Sequence, residues 1–162
     1  MGAYGIHVGQ EDLALLTDVS AAGWEQLEQL AASGLRLGVS AHTVAELAAA
    51  LAVRPSYVSI GPVFATRSKS VTAAAAGPAS TTAAASKPVE PKGLAGVSLF
   101  RGLMPAEMPL VAIGGISLRG APAVLAAGAD GLAVIGAVVG APDRAAAVRE
   151  WLALWPEGTG AA

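Results

Sequence analysis

Several residue types that define protein classes are absent or scarce in this sequence of 162 residues. It has no cysteine, which excludes disulfide bonds, thiolate metal sites and a cysteine nucleophile, and which argues against a secreted disulfide scaffold. Aromatic residues make up 4% and charged residues 14% of the chain, and the net charge is −2. Because no basic stripe is present, neither nucleic acid nor an anionic membrane is an expected partner.

Long apolar runs are also missing. Glycine, proline or a charged residue interrupts each run before it reaches about 18 residues, so no transmembrane helix is predicted. The N-terminal sequence MGAYGIHVGQEDL has neither the basic and apolar regions of a signal peptide nor the Ser/Arg-rich composition of a transit peptide. We therefore expect a cytoplasmic protein, with the plastid as the alternative if further residues precede Met1.

The residues that are present, 54% of them hydrophobic, indicate a compact domain with a core of alanine and branched aliphatic side chains. Five short apolar runs are predicted to be buried strands: Tyr4–Val8, Arg36–Ser40, Tyr57–Ile60, Leu110–Ile113 and Gly131–Ile135. Helical patterns lie between or after them, near Gly23–Ser33, Thr43–Val53, Arg119–Ala127 and Asp143–Leu154. Thr43 and Glu46 form a capping-box pattern at the start of the second helix.

Alternating strands and helices predict an α/β fold with parallel strands and crossover helices. An open doubly wound sheet and part of a (β/α)8 barrel both satisfy this pattern. The segment Ser70–Ser86 interrupts it, and its low-complexity Ala/Ser/Thr composition predicts a disordered insertion in the loop after the third strand.

Parallel α/β folds bind ligands at the carboxyl ends of their strands, so the residues that follow each strand are the candidates for function. Asp12 follows the first strand and could bind Mg²⁺ together with substrate phosphates, or could instead be the N-cap of the next helix. Ser40 ends the second strand and could bond a phosphate, with His42 as an acid–base group. The alternative is that Ser40 or Thr43 caps the helix and that His42 lies on the surface.

The last three strands are followed by groups suited to anions. Thr66, Arg67, Ser68 and Lys69 supply two hydroxyls and two cations after the third strand. A Gly114-Gly115 pair before a helix, and Gly136 after the fifth strand, allow the backbone to approach a phosphate closely. The dinucleotide pattern GxGxxG is absent, which argues against a nucleotide-binding open sheet.

Five motifs together resemble the thiamine-phosphate synthase family: GIHVGQEDL, LGVSAHT, YVSIGPVFATRSK, VAIGGI and AGADGLAVIGAV, in that order. The resemblance covers nearly the whole chain apart from Ser70–Ser86 and the last few residues. It implies a TIM barrel of which residues 1–162 form strands four to eight. It also implies a transferase of thiamine biosynthesis that joins hydroxymethylpyrimidine diphosphate to hydroxyethylthiazole phosphate.

The same resemblance implies a role for each matching residue. Asp12 would bind Mg²⁺, and Ser40 and Lys69 would contact the pyrimidine diphosphate as the catalytic pair. The thiazole phosphate would be bound by the remaining matches, which are Thr66, Ser68, Gly115, Ile135 and Gly136. Three positions depart from the family pattern: Ala65 replaces a proline, Ser68 a threonine, and Gly136 a serine.

The family's Gln-x-Arg-x-Lys motif and Asn-Asp pair, which its first three strands carry, do not occur here. We therefore expect that this chain alone cannot complete the family's active site, and that it self-associates or pairs with a missing N-terminal half. Two alternatives remain. One is a cofactor-independent thiazole tautomerase that uses His42, and the other is a non-catalytic half-barrel that keeps a phosphate pocket.

Overall fold

The computed structural model describes residues 3–17, 25, 29, 30, 32–66 and 90–155. Its centre is a five-stranded parallel sheet in which strands pair in chain order. The strands are β1 (Gly5–Val8), β2 (Arg36–Ala41), β3 (Tyr57–Ile60), β4 (Leu110–Ile113) and β5 (Gly131–Ala133). Within the described residues the strand order never reverses. A doubly wound sheet requires such a reversal, so this alternative is excluded for these strands.

Helices follow every strand in the described part of the chain. They are α1 (Gln10–Thr17), α2 (Val44–Ala52), α3 (Gly93–Leu103), α4 (Ala121–Ala126), α5 (Gly136–Val139) and α6 (Arg144–Leu152). Among these residues, no helix combines the length and the apolar character that crossing a membrane requires.

The two faces of the sheet differ in polarity, because side chains alternate along a strand and paired residues share a face. Val39, Val58 and Leu110 lie on the face that packs against the helices and are fully buried. The opposite face, called here the open face, carries His7, Gly38, Ser40, Tyr57, Ser59, Val111 and Ile113. The open face is therefore apolar in β4, whereas in β1 to β3 it carries His7, Ser40, Tyr57 and Ser59.

The helix α2 begins as its capping box predicts. Thr43 has extended backbone angles, and its hydroxyl accepts a hydrogen bond from the Glu46 N–H at 3.2 Å. This bond satisfies one of the N–H groups that have no partner within the helix. Leu47 and Ala50 then lie one turn apart and are buried against the sheet. The predicted helix is thus confirmed to within one residue at each end.

Three helices differ from the expectation. The first, α1, was not predicted and starts two residues after β1, whereas the helix predicted near Gly23–Ser33 is described only in part and is helical at residues 25, 29, 30 and 32. The second, α3, was not predicted, because Gly93, Gly96 and Gly102 weaken its helical pattern. Its buried Val97 and Phe100 stabilise it through packing. The third, α5, begins where the fifth strand was expected to end. Ser70–Ser86 lies outside the described residues.

Candidate functional site

All five strands end at one pocket with a volume of about 610 Å³. Its lining comes from the end of each strand and the residues that follow it: Gly9, then Ser40 and His42, then Gly61, Pro62 and Thr66, then Ile113 to Ser117, and finally Ala133 to Ala137. Sequence positions far apart therefore meet because the carboxyl ends of neighbouring parallel strands share one edge of the sheet. Seven residues singled out from the sequence line this pocket: Ser40, His42, Thr66, Gly114, Gly115, Ile135 and Gly136.

At the end of β2, hydrogen bonds fix the backbone around Ser40 and His42. The Gln10 side-chain amide donates to the Ser40 carbonyl oxygen at 2.5 Å, and the His42 N–H donates to the Glu46 carboxylate at 2.6 Å. His42 Nδ1 lies 2.5 Å from the Gly61 carbonyl oxygen. Because a carbonyl oxygen only accepts, Nδ1 carries a proton, and in the neutral ring Nε2 is left as an acceptor. These hydrogen bonds hold His42 in the lining of the pocket, which contradicts its interpretation as a surface residue.

The loops after β3 and β4 are joined through their backbones. The Val63 N–H donates to the Ile113 carbonyl at 2.9 Å, and the Phe64 N–H donates to the Gly114 carbonyl at 3.0 Å. Gly114 and Gly115 have φ angles of +96° and +65°, which a residue with a β-carbon adopts only under strain. A β-carbon at Gly115 would also lie 2.6 Å from the Phe64 carbonyl oxygen. The glycine pair is thus required for these two loops to approach each other.

The fifth strand is followed by a short helix, α5, whose N-terminus lies at the pocket. Ile135 directly precedes α5, and its carbonyl accepts from the Val139 N–H at 2.9 Å. Ile135 and Gly136 both line the pocket, and the Ile135 side chain is 58% exposed. Gly136 leaves the start of α5 without a side chain, so its backbone is open to the pocket.

Asp12 lies beside the pocket rather than in its lining. It belongs to the first turn of α1, and its carboxylate accepts a hydrogen bond from the Gly9 N–H at 3.2 Å. The Leu13 N–H donates to the Gly9 carbonyl at 2.9 Å, so Gly9 holds the N-cap position. The alternative interpretation of Asp12 as N-cap is therefore wrong. Its side chain caps the helix from one turn inside, because its carboxylate reaches back to Gly9.

Arg67, Ser68 and Lys69 lie outside the described residues, so the cationic part of the predicted anion site has no structural account. Among the residues that are described, no group of three or more His, Asp or Glu side chains could hold a metal ion.

Sequence reasoning missed a polar cluster on the open face. His7 Nε2 lies 2.8 Å from Ser40 Oγ, and His7 Nδ1 lies 2.9 Å from the Tyr57 hydroxyl. Ser59, only 4% exposed, places its Oγ 3.1 Å from Ser40 Oγ. Partial burial lowers the pKa of His7 below its ordinary value of 6.5, which favours the neutral ring. Strand register was the signal that could have found this cluster, since it aligns these side chains on one face.

A family model described as thiamine monophosphate synthase matches residues 1–138. The thiamine-phosphate synthase of Salmonella paratyphi B is 42% identical over 152 residues, which cover 94% of this chain and 60% of that protein. The Neisseria meningitidis serogroup A protein of the same name is 40% identical, over 95% of this chain and 62% of its own length. The chain thus spans about three-fifths of the length of these curated relatives.

The fold of the chain also resembles those of solved structures. The thiamine phosphate pyrophosphorylase from Pyrococcus furiosus superposes with a TM-score of 0.65 at 29% identity, over 91% of this chain and 57% of that one. A 3-hexulose-6-phosphate synthase superposes with a TM-score of 0.60 at 22% identity, over 94% of this chain and 62% of the other. The second likeness concerns the fold alone.

Proposed function

The chain belongs to the thiamine monophosphate synthase family, and from this membership we propose that it joins a hydroxymethylpyrimidine diphosphate to a hydroxyethylthiazole phosphate. The products would be thiamine phosphate and free diphosphate. The observation that carries the proposal is the single pocket at which all five strands end, since its lining holds Ser40, Thr66, Gly115, Ile135 and Gly136. A pocket of about 610 Å³ is within the range of small-molecule sites.

In this reaction the thiazole nitrogen uses its lone pair to form a bond to the methylene carbon of the pyrimidine. The carbon–oxygen bond to the diphosphate breaks, and the leaving group departs with that electron pair. The negative charge that develops on the departing diphosphate must therefore be stabilised by hydrogen-bond donors and cations. Ser40 would donate a hydrogen bond to the diphosphate, and Lys69 would neutralise part of its charge.

The second substrate would be held by its phosphate at the other side of the pocket. Thr66 and Ser68 would supply hydroxyl donors, while the backbone at Gly115, Ile135 and Gly136 would supply N–H donors without needing a net positive charge. The apolar lining, which includes Ile113 and Val134, suits the ring of the thiazole. Because both rings would be bound side by side in one pocket, their reaction would no longer depend on a bimolecular encounter in solution.

We further propose Mg²⁺ as the cofactor, with Asp12 as its ligand from this part of the protein. Mg²⁺ commonly takes one or two carboxylates together with substrate phosphates and waters, so a single carboxylate beside the pocket is compatible with it. The bound ion would neutralise charge on the departing diphosphate. Asp12 also accepts from the Gly9 N–H, a bond that holds its carboxylate next to a pocket residue.

For the architecture, we propose that residues 1–162 form strands four to eight of a (β/α)8 barrel. Parallel strands that pair in chain order, each followed by a helix, support this assignment. The polar open face would then line the barrel interior. Self-association or pairing with a further part of the barrel stays a prediction, as does a cytoplasmic location.

The direct test is incubation of the purified chain with both substrates and Mg²⁺, followed by chromatographic measurement of thiamine phosphate. We expect product formation, which would overturn the expectation from the sequence that this chain alone cannot complete the active site, and we expect Ser40→Ala to reduce it while Ser98→Ala, on the outer helix α3, leaves it unchanged. If the chain binds the thiazole phosphate but forms no product under any of these conditions, the non-catalytic phosphate-binding alternative replaces the synthase.

A thiazole tautomerase is the second candidate, and the geometry of His42 is the observation that favours it. The ring lines the pocket and leaves Nε2 as an acceptor in its neutral form. Isomerisation of a thiazole phosphate in the absence of any pyrimidine diphosphate, abolished by His42→Asn, would identify this activity. The synthase reaction instead requires both substrates.

A further inference from the structure

The polar cluster on the open face adjoins the candidate site through one residue. Ser40 lines the pocket, and its hydroxyl also contacts His7 Nε2 at 2.8 Å and Ser59 Oγ at 3.1 Å. His7 and Ser59 belong to the strands on either side of β2. The hydroxyl of Ser40 is therefore held from both neighbouring strands.

The backbone of Ser40 is fixed as well. Its carbonyl oxygen accepts a hydrogen bond from the side-chain amide of Gln10, the first residue of α1. Its position in β2 is paired with Ser59 in β3. With both the main chain and the hydroxyl constrained, the remaining freedom of Ser40 is the direction of its O–H bond.

The protonation of His7 decides that direction. The ring is stacked on Tyr57 with centroids 5.5 Å apart, and Nδ1 lies 2.9 Å from the Tyr57 hydroxyl. Partial burial lowers the pKa of His7, so the ring has one N–H and one acceptor nitrogen at neutral pH. If the phenol donates to Nδ1, the proton of the imidazole must be on Nε2, where Ser40 Oγ accepts it.

Gly38 makes this arrangement sterically accessible. It lies opposite both His7 and Tyr57 in the sheet. A β-carbon at this position would collide with the Tyr57 ring and with His7 Nδ1. The absence of a side chain at Gly38 is what allows the two rings to meet across β2.

We propose that His7 is a positioning residue that donates from Nε2 to Ser40 Oγ and so directs the Ser40 O–H toward an oxygen of a diphosphate group in the pocket. Without a ligand, the Ser40 O–H donates its hydrogen bond to Ser59 Oγ instead. The ligand class rests on the proposed function. Tyr57 acts one step further away, since it fixes the tautomer of His7.

The test that needs no activity is NMR of the chain labelled with ¹⁵N at histidine. We expect the Nε2–H tautomer for His7, and we expect Ser40→Ala and Tyr57→Phe each to shift its ring resonances. Ser98→Ala, on the outer helix α3, is the control and should leave them unchanged. An Nδ1–H tautomer, or His7 resonances that do not respond to Ser40→Ala, overturns the proposal whatever the enzyme activity is.

Binding of inorganic diphosphate with Mg²⁺, measured by calorimetry, tests the coupling to a ligand. Ser40→Ala should weaken binding roughly tenfold, as expected for a hydrogen bond to a charged group. His7→Asn should weaken it by a similar or smaller factor, and should have no further effect in the Ser40→Ala background. His7→Gln should retain most of the affinity, because its amide offers a donor near the position of Nε2.

The outcomes separate this proposal from the proposed function. If the unaltered chain binds diphosphate but the effects of His7→Asn and Ser40→Ala are additive, His7 acts independently of Ser40 and the positioning role is wrong. If the unaltered chain binds no diphosphate, the ligand assigned to Ser40 is wrong and the synthase proposal falls with it. Circular dichroism of each variant confirms that the losses arise in folded protein.

Discussion

At the scale of single residues, Gly38 shows how a missing side chain organises its surroundings. A β-carbon there would overlap the Tyr57 ring and His7 Nδ1. We therefore expect Gly38→Ala to lower the free energy of unfolding by about 1–3 kcal/mol, the usual cost of overpacking. Urea unfolding measures this change.

The matched control for that substitution is Gly102→Ala. Gly102 lies in α3, and nothing lies within 4 Å of where its β-carbon would be. Alanine there should leave stability unchanged or raise it by up to about 1 kcal/mol through helix propensity. Equal destabilisation by both substitutions would contradict the steric role of Gly38.

His7 gives a prediction for the dependence of stability on pH. Its pKa is lower in the folded protein than the ordinary value of 6.5, so the unfolded chain binds more protons between these two values. Stability should therefore decrease as the pH falls below 6.5, because folding must then remove a proton from the ring. Tyr57, Ser40 and Ser59 face His7, and each of them contacts the ring through a hydroxyl group.

Thermal unfolding across a pH series measures this effect. His7→Gln removes the titrating group, so its melting temperature should fall less steeply below pH 6.5 than that of the unaltered chain. Parallel curves for the two proteins would show that other groups cause the acid sensitivity.

At the scale of secondary-structure elements, α3 exists because of what it buries. Phe100 is 3% exposed, whereas its neighbour Leu99 is 52% exposed. We expect Phe100→Ala to destabilise the fold by about 3–5 kcal/mol, since it removes a large buried side chain and leaves a cavity. Leu99→Ala, the adjacent control, should change stability by less than about 0.5 kcal/mol. Chemical denaturation of both variants decides whether packing, rather than propensity, maintains α3.

The start of α2 allows a second test at this scale. Thr43 accepts from the Glu46 N–H, so Thr43→Ala leaves that donor without its partner. The expected loss is about 1 kcal/mol in the free energy of unfolding. Thr43→Ser keeps an accepting hydroxyl and should retain most of the stability. If serine and alanine cost the same, the hydroxyl is not the stabilising group.

At the scale of the whole molecule, one ligand should stabilise the entire sheet, because all five strands contribute to one pocket. We expect hydroxyethylthiazole phosphate to raise the melting temperature, with a stabilisation of about 2.7 kcal/mol at a concentration one hundred times its Kd. Thr66→Val removes a lining hydroxyl and should shift the effect to higher ligand concentrations. Scanning calorimetry at several concentrations checks this, and a melting temperature independent of the ligand would contradict a phosphate site here.

Much of the fold was predictable because its signals are local. The run Leu110–Ile113 is a strand as predicted, and the start of α2 follows from Thr43 and Glu46. The elements that were missed depend on distant partners. The glycines of α3 argue against a helix until Phe100 is seen to be buried, and α5 replaces the last residues of an expected strand.

The sequence by itself determined the alternation of strands and helices, the glycine-bearing strand ends and the motifs of a thiamine monophosphate synthase relative. These depend on residue type and short spacing, which are readable along the chain. Only the tertiary structure decided that His42 lines a pocket while Asp12 lies beside it, and that His7 holds Ser40. The physical reason is that the register between strands far apart in the sequence sets which side chains share a face and meet within hydrogen-bonding distance.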